Sequence, residues 1–334
     1  MANIRHLTGL RAVAALIVFI SHSANEGVIN PIFGQGFGKI GVMIFFILSG
    51  FLMGCLYLNR EPGFFDIKYY IVARIARVVP LYFLLLLLSY FIYNFIYTEF
   101  YYSISYLELL VSLFMIQAPS VFWTIPVEFQ FYVVFILFWL SFFYCGCKFF
   151  LPFLIVVTLP ILFLYLSGSH LPNILPKYAF SFFLGVGVSI FYEKIIYSDY
   201  SIFFDRYGWV FLVLLFVNLP EARSQLGLNF GSSVYVKTWL DPISWTLVFC
   251  LFISCVCSSK SLNFLNNPIV QYLGRISYGF YLIHYPVLYV LKGFLMPWWL
   301  IFLAAFTVTI LLASVSFYYF ERPLQKMIML KYSR

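Results

Sequence analysis

The sequence predicts an all-α membrane protein that crosses the bilayer about ten times. Of its 334 residues, 63% are hydrophobic and only 10% are charged, which is far from the composition of an average soluble domain. The apolar residues form runs close to the 20 or so residues with which a helix spans a hydrocarbon core of about 30 Å. These runs cover residues 8–24, 40–58, 78–97, 124–144, 149–167, 177–193, 208–220, 238–257, 273–292 and 298–320.

The lysines and arginines predict the side of the membrane on which each loop lies, because cytoplasmic loops carry an excess of these residues. With ten spans and both termini in the cytoplasm, most of the 20 cationic residues lie inside. An eleventh apolar segment, residues 106–117, is short and contains Glu108, and counting it as a span would divide the cationic residues evenly. We therefore predict that residues 106–117 are interfacial or re-entrant. In the ten-span arrangement five cationic residues lie on the outer side, namely Lys39, Lys177, Arg223, Lys237 and Lys292.

The net charge of +8 would also suit a nucleic-acid ligand, but the basic residues are scattered over many loops, as membrane topology requires. We therefore predict the lipid bilayer as a partner, and no nucleic acid.

The cysteines lie in or beside apolar runs, and Cys145 and Cys147 lack a second pair with which to form a metal site. We predict neither a bound metal nor a disulfide framework.

The first predicted span contains two ionisable residues, Arg11 and His22. Eleven residues correspond to about 16 Å along a helix and return the chain to nearly the same face. Taken singly, Arg11 suits the cytoplasmic end of a span and His22 suits a hydrogen-bonded core position. Ionisable groups inside a membrane, however, normally face the protein interior and mark functional sites. A buried, neutral imidazole can take the proton of an attacking hydroxyl.

Arg74 and Arg77 lie three residues apart where the third span begins on the predicted cytoplasmic side. Residues with this spacing are neighbours on a helix, so both guanidinium groups can converge on one anion, and their planar forks suit phosphate. The alternative is that they are ordinary cytoplasmic charges or bind lipid head groups.

The fourth span begins with a polar segment that contains Trp123, Glu128, Gln130 and Tyr132. Glu128 and Tyr132 are one helical turn apart on the same face. A carboxylate about one turn inside a membrane needs a partner, and a histidine from another helix is a natural one, since the carboxylate would orient it and make it more basic. Alternatively, the helix dipole alone stabilises Glu128.

The ninth span contains Tyr278 and, in its outer half, His284. Either His284 helps to bind an acceptor or it makes a structural hydrogen bond. The sequence has no phosphate-binding loop, dinucleotide fingerprint, HExxH or GxSxG motif, which weighs against nucleotide hydrolysis and serine-hydrolase chemistry.

Five segments in order, over nearly the whole chain, resemble acyltransferase family 3, the bacterial integral-membrane O-acyltransferases. Residues 7–15 followed by His22 are similar to the family's LDGLRAxAA opening with its R-x10-H spacing. Residues 41–51, 74–82, 123–132 and 277–286 are similar to GVDxFFxLSGF, RxxRIxPxY, WSLxVExQFY and SYxxYLxHxP. The chain departs from these patterns at four positions. Thr8 and Met43 stand where the family has acidic residues, and Thr124 and Pro126 differ from the residues that usually precede the glutamate.

The resemblance implies a membrane O-acetyltransferase that takes its acyl group from cytoplasmic acetyl-CoA and gives it to a sugar hydroxyl, commonly at the outer face. Carried onto this chain, it makes His22 the catalytic residue. Our own hypothesis adds that Glu128 tunes or orients a polar partner. Arg11, Arg74 and Arg77 would serve the donor. The residues left with an acceptor-side or structural role are Trp123, Gln130, Tyr132, Tyr278 and His284.

Many members of the family carry an additional periplasmic hydrolase-like domain, whereas this sequence ends shortly after Pro323. We therefore expect a single membrane domain over residues 1–334, of the stand-alone type that modifies O-antigen or other lipid-linked polysaccharide at the bacterial inner membrane. One alternative keeps the fold but changes the acceptor to a small molecule, glycolipid or periplasmic glucan, or the donor to succinyl-CoA. Another class altogether, a transporter, would use Arg11, His22, Glu128 and His284 as a polar pathway, but the internal repeats that many transporters show are missing.

Overall fold

The computed structural model of the protein describes residues 4–34, 36–166, 172–225, 239, 241–257 and 260–332. It is 84% helix and has no strand in these residues, so the all-α prediction is confirmed. Helices are expected here because backbone groups in hydrocarbon must find their hydrogen-bond partners within the protein. Outside the described residues lie Lys237 and the ends of two predicted spans, residues 167 and 238.

Most of the described residues belong to α-helices. Their bounds are α1 Ile4–Asn25, α2 Phe37–Tyr57, α3 Phe64–Phe91, α4 Tyr106–Leu113, α5 Thr124–Cys145, α6 Phe150–Leu166, α7 Leu175–Ile190, α8 Tyr192–Ile196, α9 Tyr200–Val217, α10 Pro220–Gln225, α11 Pro242–Val256, α12 Pro268–Lys292, α13 Trp298–Ser316 and α14 Arg322–Tyr332. A π-helical segment, Ile92–Ile96, extends α3, and another, Phe317–Glu321, joins α13 to α14.

Six helical stretches of the described residues are long and apolar enough to cross a membrane, so the chain is a multi-pass membrane protein. They are Arg5–Asn25, Pro31–Tyr57, Phe64–Ile96, Ser120–Cys145, Tyr200–Val217 and Trp298–Tyr332. A seventh is added if Pro242–Val256 and Lys260–Asn266, which meet at 81°, form one broken span.

This count does not confirm the expectation of ten full-length spans, which stays a prediction. Each remaining predicted span coincides with a helix, but α6 and α7 qualify only as shorter apolar helices. The 16 residues of α7 rise about 24 Å, less than the 30 Å or so of a hydrocarbon core. The helix α12 is long enough to cross, but its polar residues, among them Gln271 and Arg275, lower its mean hydropathy, so it is not one of the six candidate spans. The side on which each terminus lies stays a prediction.

The segment predicted to be interfacial or re-entrant forms the short helix α4. Its 8 residues rise only about 12 Å, too little to cross. Ser105 and Glu108 begin the helix with a capping box, in which each side chain bonds the other residue's backbone N–H. The backbone N–H of Ser105, helped by its hydroxyl, lowers the pKa of Glu108. The charged residue that made this segment a poor span therefore caps its first turn.

The chain divides into two compact units that interleave along the sequence. Unit 1 comprises residues 1–45 and 191–314, and unit 2 comprises residues 46–190 and 315–334. In unit 1, α1 packs along α12. The two backbones approach so closely that a Cβ atom at Gly274 would collide with the Thr8 carbonyl group. This packing places residues near the end of α1 beside the second half of α12.

In unit 2, α2 and α7 meet through glycines. A side chain at Gly50 would collide with the backbone of Phe182, and one at Gly185 with the backbone of Ile47. Around this contact the Phe182 ring stacks between those of Phe46 and Phe131, with centroid distances of 4.4 and 4.2 Å. The result is a dense aromatic core to which α5 contributes Phe131.

Candidate active site

Two histidines of unit 1 form a hydrogen-bonded dyad. Nδ1 of His22, in the last turn of α1, lies 2.8 Å from Nε2 of His284 in α12. The ring centroids are 5.0 Å apart and the ring planes differ by 11°. Since the nitrogens are much closer together than the ring centres, the imidazoles meet edge to edge. The packing of α1 along α12 thus brings together residues that are 262 positions apart in the chain.

The backbone carbonyl of Tyr281 determines where the protons of this dyad lie. Its oxygen is 2.6 Å from Nδ1 of His284, and because a carbonyl can only accept, this nitrogen must carry a proton. In a neutral imidazole the other nitrogen, Nε2, is then an acceptor, so Nδ1 of His22 donates to it. The lone pair of His22 is therefore on Nε2, which is the atom able to take a proton from a substrate.

Aromatic rings surround His284, whose side chain has no solvent exposure. The centroids of Phe19, Phe280 and Tyr285 lie 6.0 to 6.3 Å from that of its imidazole. Within such a low-polarity environment a hydrogen bond is stronger than it would be in water. The dyad is thus held rigidly, and His22, which is only half-buried, is its more accessible member.

A carboxylate that the sequence reasoning missed lies beside the dyad. The Tyr285 ring contacts that of His22, with centroids 4.8 Å apart, and its hydroxyl donates to Glu26. Lys292 donates to the other oxygen of Glu26 at 2.9 Å. Burial alone would raise the pKa of Glu26, but the bonds from Tyr285 and Lys292 outweigh it and hold that pKa below its usual value. The available signal was spacing: Glu26 is one turn after His22, and Tyr285 follows His284.

Glu128 has different partners from those expected. In unit 2, the hydroxyls of Ser49 and Tyr132 both donate to its Oε1, at 2.8 and 2.5 Å. Neither donor is a histidine, and the imidazole paired with His22 is His284. The structure therefore assigns the orienting contact of His22 to His284, while Glu128 anchors a hydroxyl network between α2 and α5.

The guanidinium of Arg74 lies over the ring of Tyr132, 6.0 Å from its centroid. No described residue accepts a hydrogen bond from its buried Nε. Buried charged groups are normally paired, so this donor is suited to an anionic ligand. Arg77 is half-buried one turn further along α3, and Arg11 is half-buried in α1.

Gln130 links the residues after α4 to the first residue of α7, within unit 2. Its amide nitrogen donates to the carbonyls of Met115 and Ile116, at 3.1 and 2.8 Å. Its amide oxygen accepts from the backbone N–H of Leu175 at 2.9 Å. The side chain thus holds the residues after α4 next to the start of α7, in line with the structural alternative for Gln130.

The other two residues with a predicted acceptor-side or structural role lie in different units. Trp123 packs on the ring of Tyr178 in unit 2, with centroids 4.7 Å apart. Tyr278 is half-buried in α12 of unit 1. Among the residues that the structure describes, no group of three or more His, Cys, Asp or Glu side chains is placed to hold a metal ion. The thiols of Cys55, Cys145, Cys250, Cys255 and Cys257 are unpaired.

A model of the acyltransferase domain matches residues 4–319, nearly the whole chain. No curated protein and no solved structure matches the chain. The matched region contains both histidines of the dyad, Glu26, Glu128 and the two arginines of α3. The chain therefore belongs to acyltransferase family 3, a family of membrane O-acyltransferases.

Proposed function

We propose that this protein transfers an acetyl group from acetyl-CoA to a hydroxyl of a lipid-linked or surface polysaccharide at the bacterial inner membrane. Family membership supports acyl transfer. The observation that carries the proposal is the hydrogen-bonded series from the Tyr281 carbonyl through His284 to His22. This series leaves a lone pair on Nε2 of His22, as a general base requires.

The chemistry needs one proton to move from oxygen to sulfur. Nε2 of His22 takes the proton of the acceptor hydroxyl as that oxygen attacks the thioester carbonyl carbon. When the carbon–sulfur bond breaks, the same nitrogen gives the proton to the departing thiolate. The products are an O-acetyl ester and free CoA thiol, and His22 is neutral again. Throughout, Nδ1 of His22 donates to His284, which stabilises the intermediate imidazolium.

The donor would be bound through its phosphates. The spacing of Arg74 and Arg77, and the buried Nε of Arg74 that no described residue accepts, suit bidentate binding of phosphate oxygens. Arg11, which belongs to unit 1 and lies on nearly the same face of α1 as His22, is also assigned to the donor in this proposal. In the ten-span topology, with both termini in the cytoplasm, these arginines face the cytoplasmic pool of acetyl-CoA.

Loss and rescue of glycan acetylation tests this function. Cells lacking the gene are complemented with the wild type, His22→Ala or His6→Asn, and O-acetyl groups on the surface glycan are measured by NMR. We expect His22→Ala to reach the membrane in normal amount but to restore no acetylation. His6, on the same helix but outside the dyad, is the matched control and should restore it.

Normal acetylation by the His22→Ala variant would refute the assignment. The mass of the transferred group distinguishes acetyl from succinyl. A gene-dependent ester on a glycolipid, a periplasmic glucan or a small metabolite, with an unmodified polysaccharide, would change the acceptor while keeping the reaction.

A further inference from the structure

A group of three polar side chains joins the two helices that carry the dyad. Glu26 directly follows α1, and its backbone N–H donates to the carbonyl of His22 at 3.0 Å. Tyr285 follows His284 in α12, and Lys292 ends that helix. We call Glu26, Tyr285 and Lys292 the Glu26 cluster.

The carboxylate of Glu26 retains hydrogen-bonding capacity. Tyr285 donates to Oε1 and Lys292 donates to Oε2 at 2.9 Å. An ionised carboxylate offers about four lone-pair sites, and these two donors use only half of them. Glu26 can therefore accept further hydrogen bonds without losing the contact with Tyr285.

Exposure increases across the cluster, away from the dyad. Tyr285, whose ring contacts His22, is 7% exposed. The side chain of Glu26 is 16% exposed and that of Lys292 is 46% exposed. An ion pair with so exposed a partner contributes little stability, so a ligand can displace Lys292. The cluster thus leads from the surface of unit 1 to the candidate base.

We propose that Glu26 binds a second hydroxyl of the acceptor while His22 activates the reacting one. This inference rests on the proposed function and makes the acceptor a polyhydroxy compound of the carbohydrate class. The hydroxyls of such a compound can donate the further hydrogen bonds that the Glu26 carboxylate is able to accept. Because the charges of Glu26 and Lys292 cancel, the cluster does not select an anionic acceptor.

The spacing also suits one sugar unit. Four residues of helix place Glu26 about 6 Å from His22 along the axis, a separation that two hydroxyls of one sugar can bridge. The ring of Tyr285 lies between the two groups, where it can contact the apolar face of the sugar.

Steady-state kinetics with both substrates tests this assignment. The full-length protein is placed in liposomes with acetyl-CoA and with the surface polysaccharide of the producing cells, stripped of its O-acetyl groups by alkali. Glu26→Gln can still accept a bond from Tyr285 but loses its charge. We expect the KM for the polysaccharide to rise about tenfold or more, as for the loss of a hydrogen bond to a charged group, with the KM for acetyl-CoA unchanged. Glu108→Gln, at the exposed cap of α4, is the matched control and should leave both constants unchanged.

Lys292→Gln distinguishes acceptor binding from a purely structural contact. If Glu26 binds the acceptor, removing the lysine leaves the polysaccharide KM unchanged or lowers it. An equal rise in Glu26→Gln and Lys292→Gln would overturn the inference, as would an unchanged KM in Glu26→Gln. Should Glu26→Gln fail to accumulate, Glu26→Asp, which retracts the carboxylate, must raise the same KM, and no change there also overturns the inference. A wild type that transfers no acetyl group at all would instead refute the proposed function.

Discussion

The imidazole of His284 accepts the Nδ1 proton of His22 and is itself fixed by the Tyr281 carbonyl. Replacing it with leucine leaves His22 without an acceptor for that proton, so the imidazole is free to adopt the tautomer whose Nε2 carries hydrogen. We expect His284→Leu to lower kcat about 100-fold, at the lower end of the usual range for acid–base groups, with the KM for acetyl-CoA unchanged.

The conservative variant separates positioning from simple packing. His284→Asn retains a side-chain oxygen able to accept from His22, so it should recover part of the lost kcat, whereas His284→Leu should not. The measurement is the dependence of kcat on pH for all three proteins in liposomes. Equal kcat values and pH profiles in wild type and His284→Leu would show that the dyad has no part in the reaction.

The sequence indicated candidate site residues but not the contacts that these residues make. His22 stands out because an ionisable side chain within an apolar span is energetically unfavourable and usually has a function. Its partner could not be read in the same way, since His284 is 262 positions away and spacing within one helix says nothing about which helix packs beside it. Glu26 was missed because it lies just past the end of a span, where a charged residue is unremarkable.

At the start of α11, Asp241 caps the helix and binds Arg223. Its carboxylate accepts from the backbone N–H groups of Ile243 and Ser244, and the guanidinium of Arg223 reaches both of its oxygens, at 3.1 and 2.8 Å. Burial alone would raise the pKa of Asp241, but these hydrogen bonds outweigh it and lower that pKa. A depressed pKa means that the ionised carboxylate stabilises the folded state.

This stabilisation is present above the pKa of an unfolded aspartate, about 3.9, and is lost as the pH falls through the lower folded value. We expect Asp241→Asn to be destabilised at neutral pH by about 3 kcal/mol, since it leaves the guanidinium of Arg223, whose side chain is only 14% exposed, without its counter-charge. Thermal unfolding in detergent, followed from pH 7 to below pH 4, should show the gap between the two proteins closing with acid. A gap that stays constant or widens with acid would contradict the role of Asp241.

Apolar runs predicted where the helices lie, but ten full spans are not confirmed. Each predicted span coincides with a helix because the runs fill most of the chain. Helix ends depend on local capping and on neighbours: α7 begins at Leu175, whose N–H is bound by Gln130, and this long-range contact leaves no mark on hydropathy. The difference between a complete span and a shorter buried helix therefore lies in tertiary contacts.

For the whole molecule, composition predicts the class of protein because the 63% hydrophobic content sums over every residue and does not depend on any one boundary. The family follows from ordered motifs and is shown by the match over residues 4–319. Membrane sidedness depends instead on whether one short segment crosses, since each extra span reverses everything after it.

Cysteine labelling on the two sides of α4 tests this sidedness directly. With the native cysteines replaced, Glu99→Cys lies before α4 and Ser198→Cys follows α8. In the ten-span topology, a membrane-impermeant maleimide added to intact spheroplasts labels Glu99→Cys and reaches Ser198→Cys only after permeabilisation, while acetylation measured on the same cells confirms that each variant is folded. Because α4 rises only about 12 Å, it cannot supply the additional crossing that would move Ser198 outside. Labelling of both cysteines in intact cells would mean that the chain crosses once more or once less between them, and the sides assigned to every later loop would have to be exchanged.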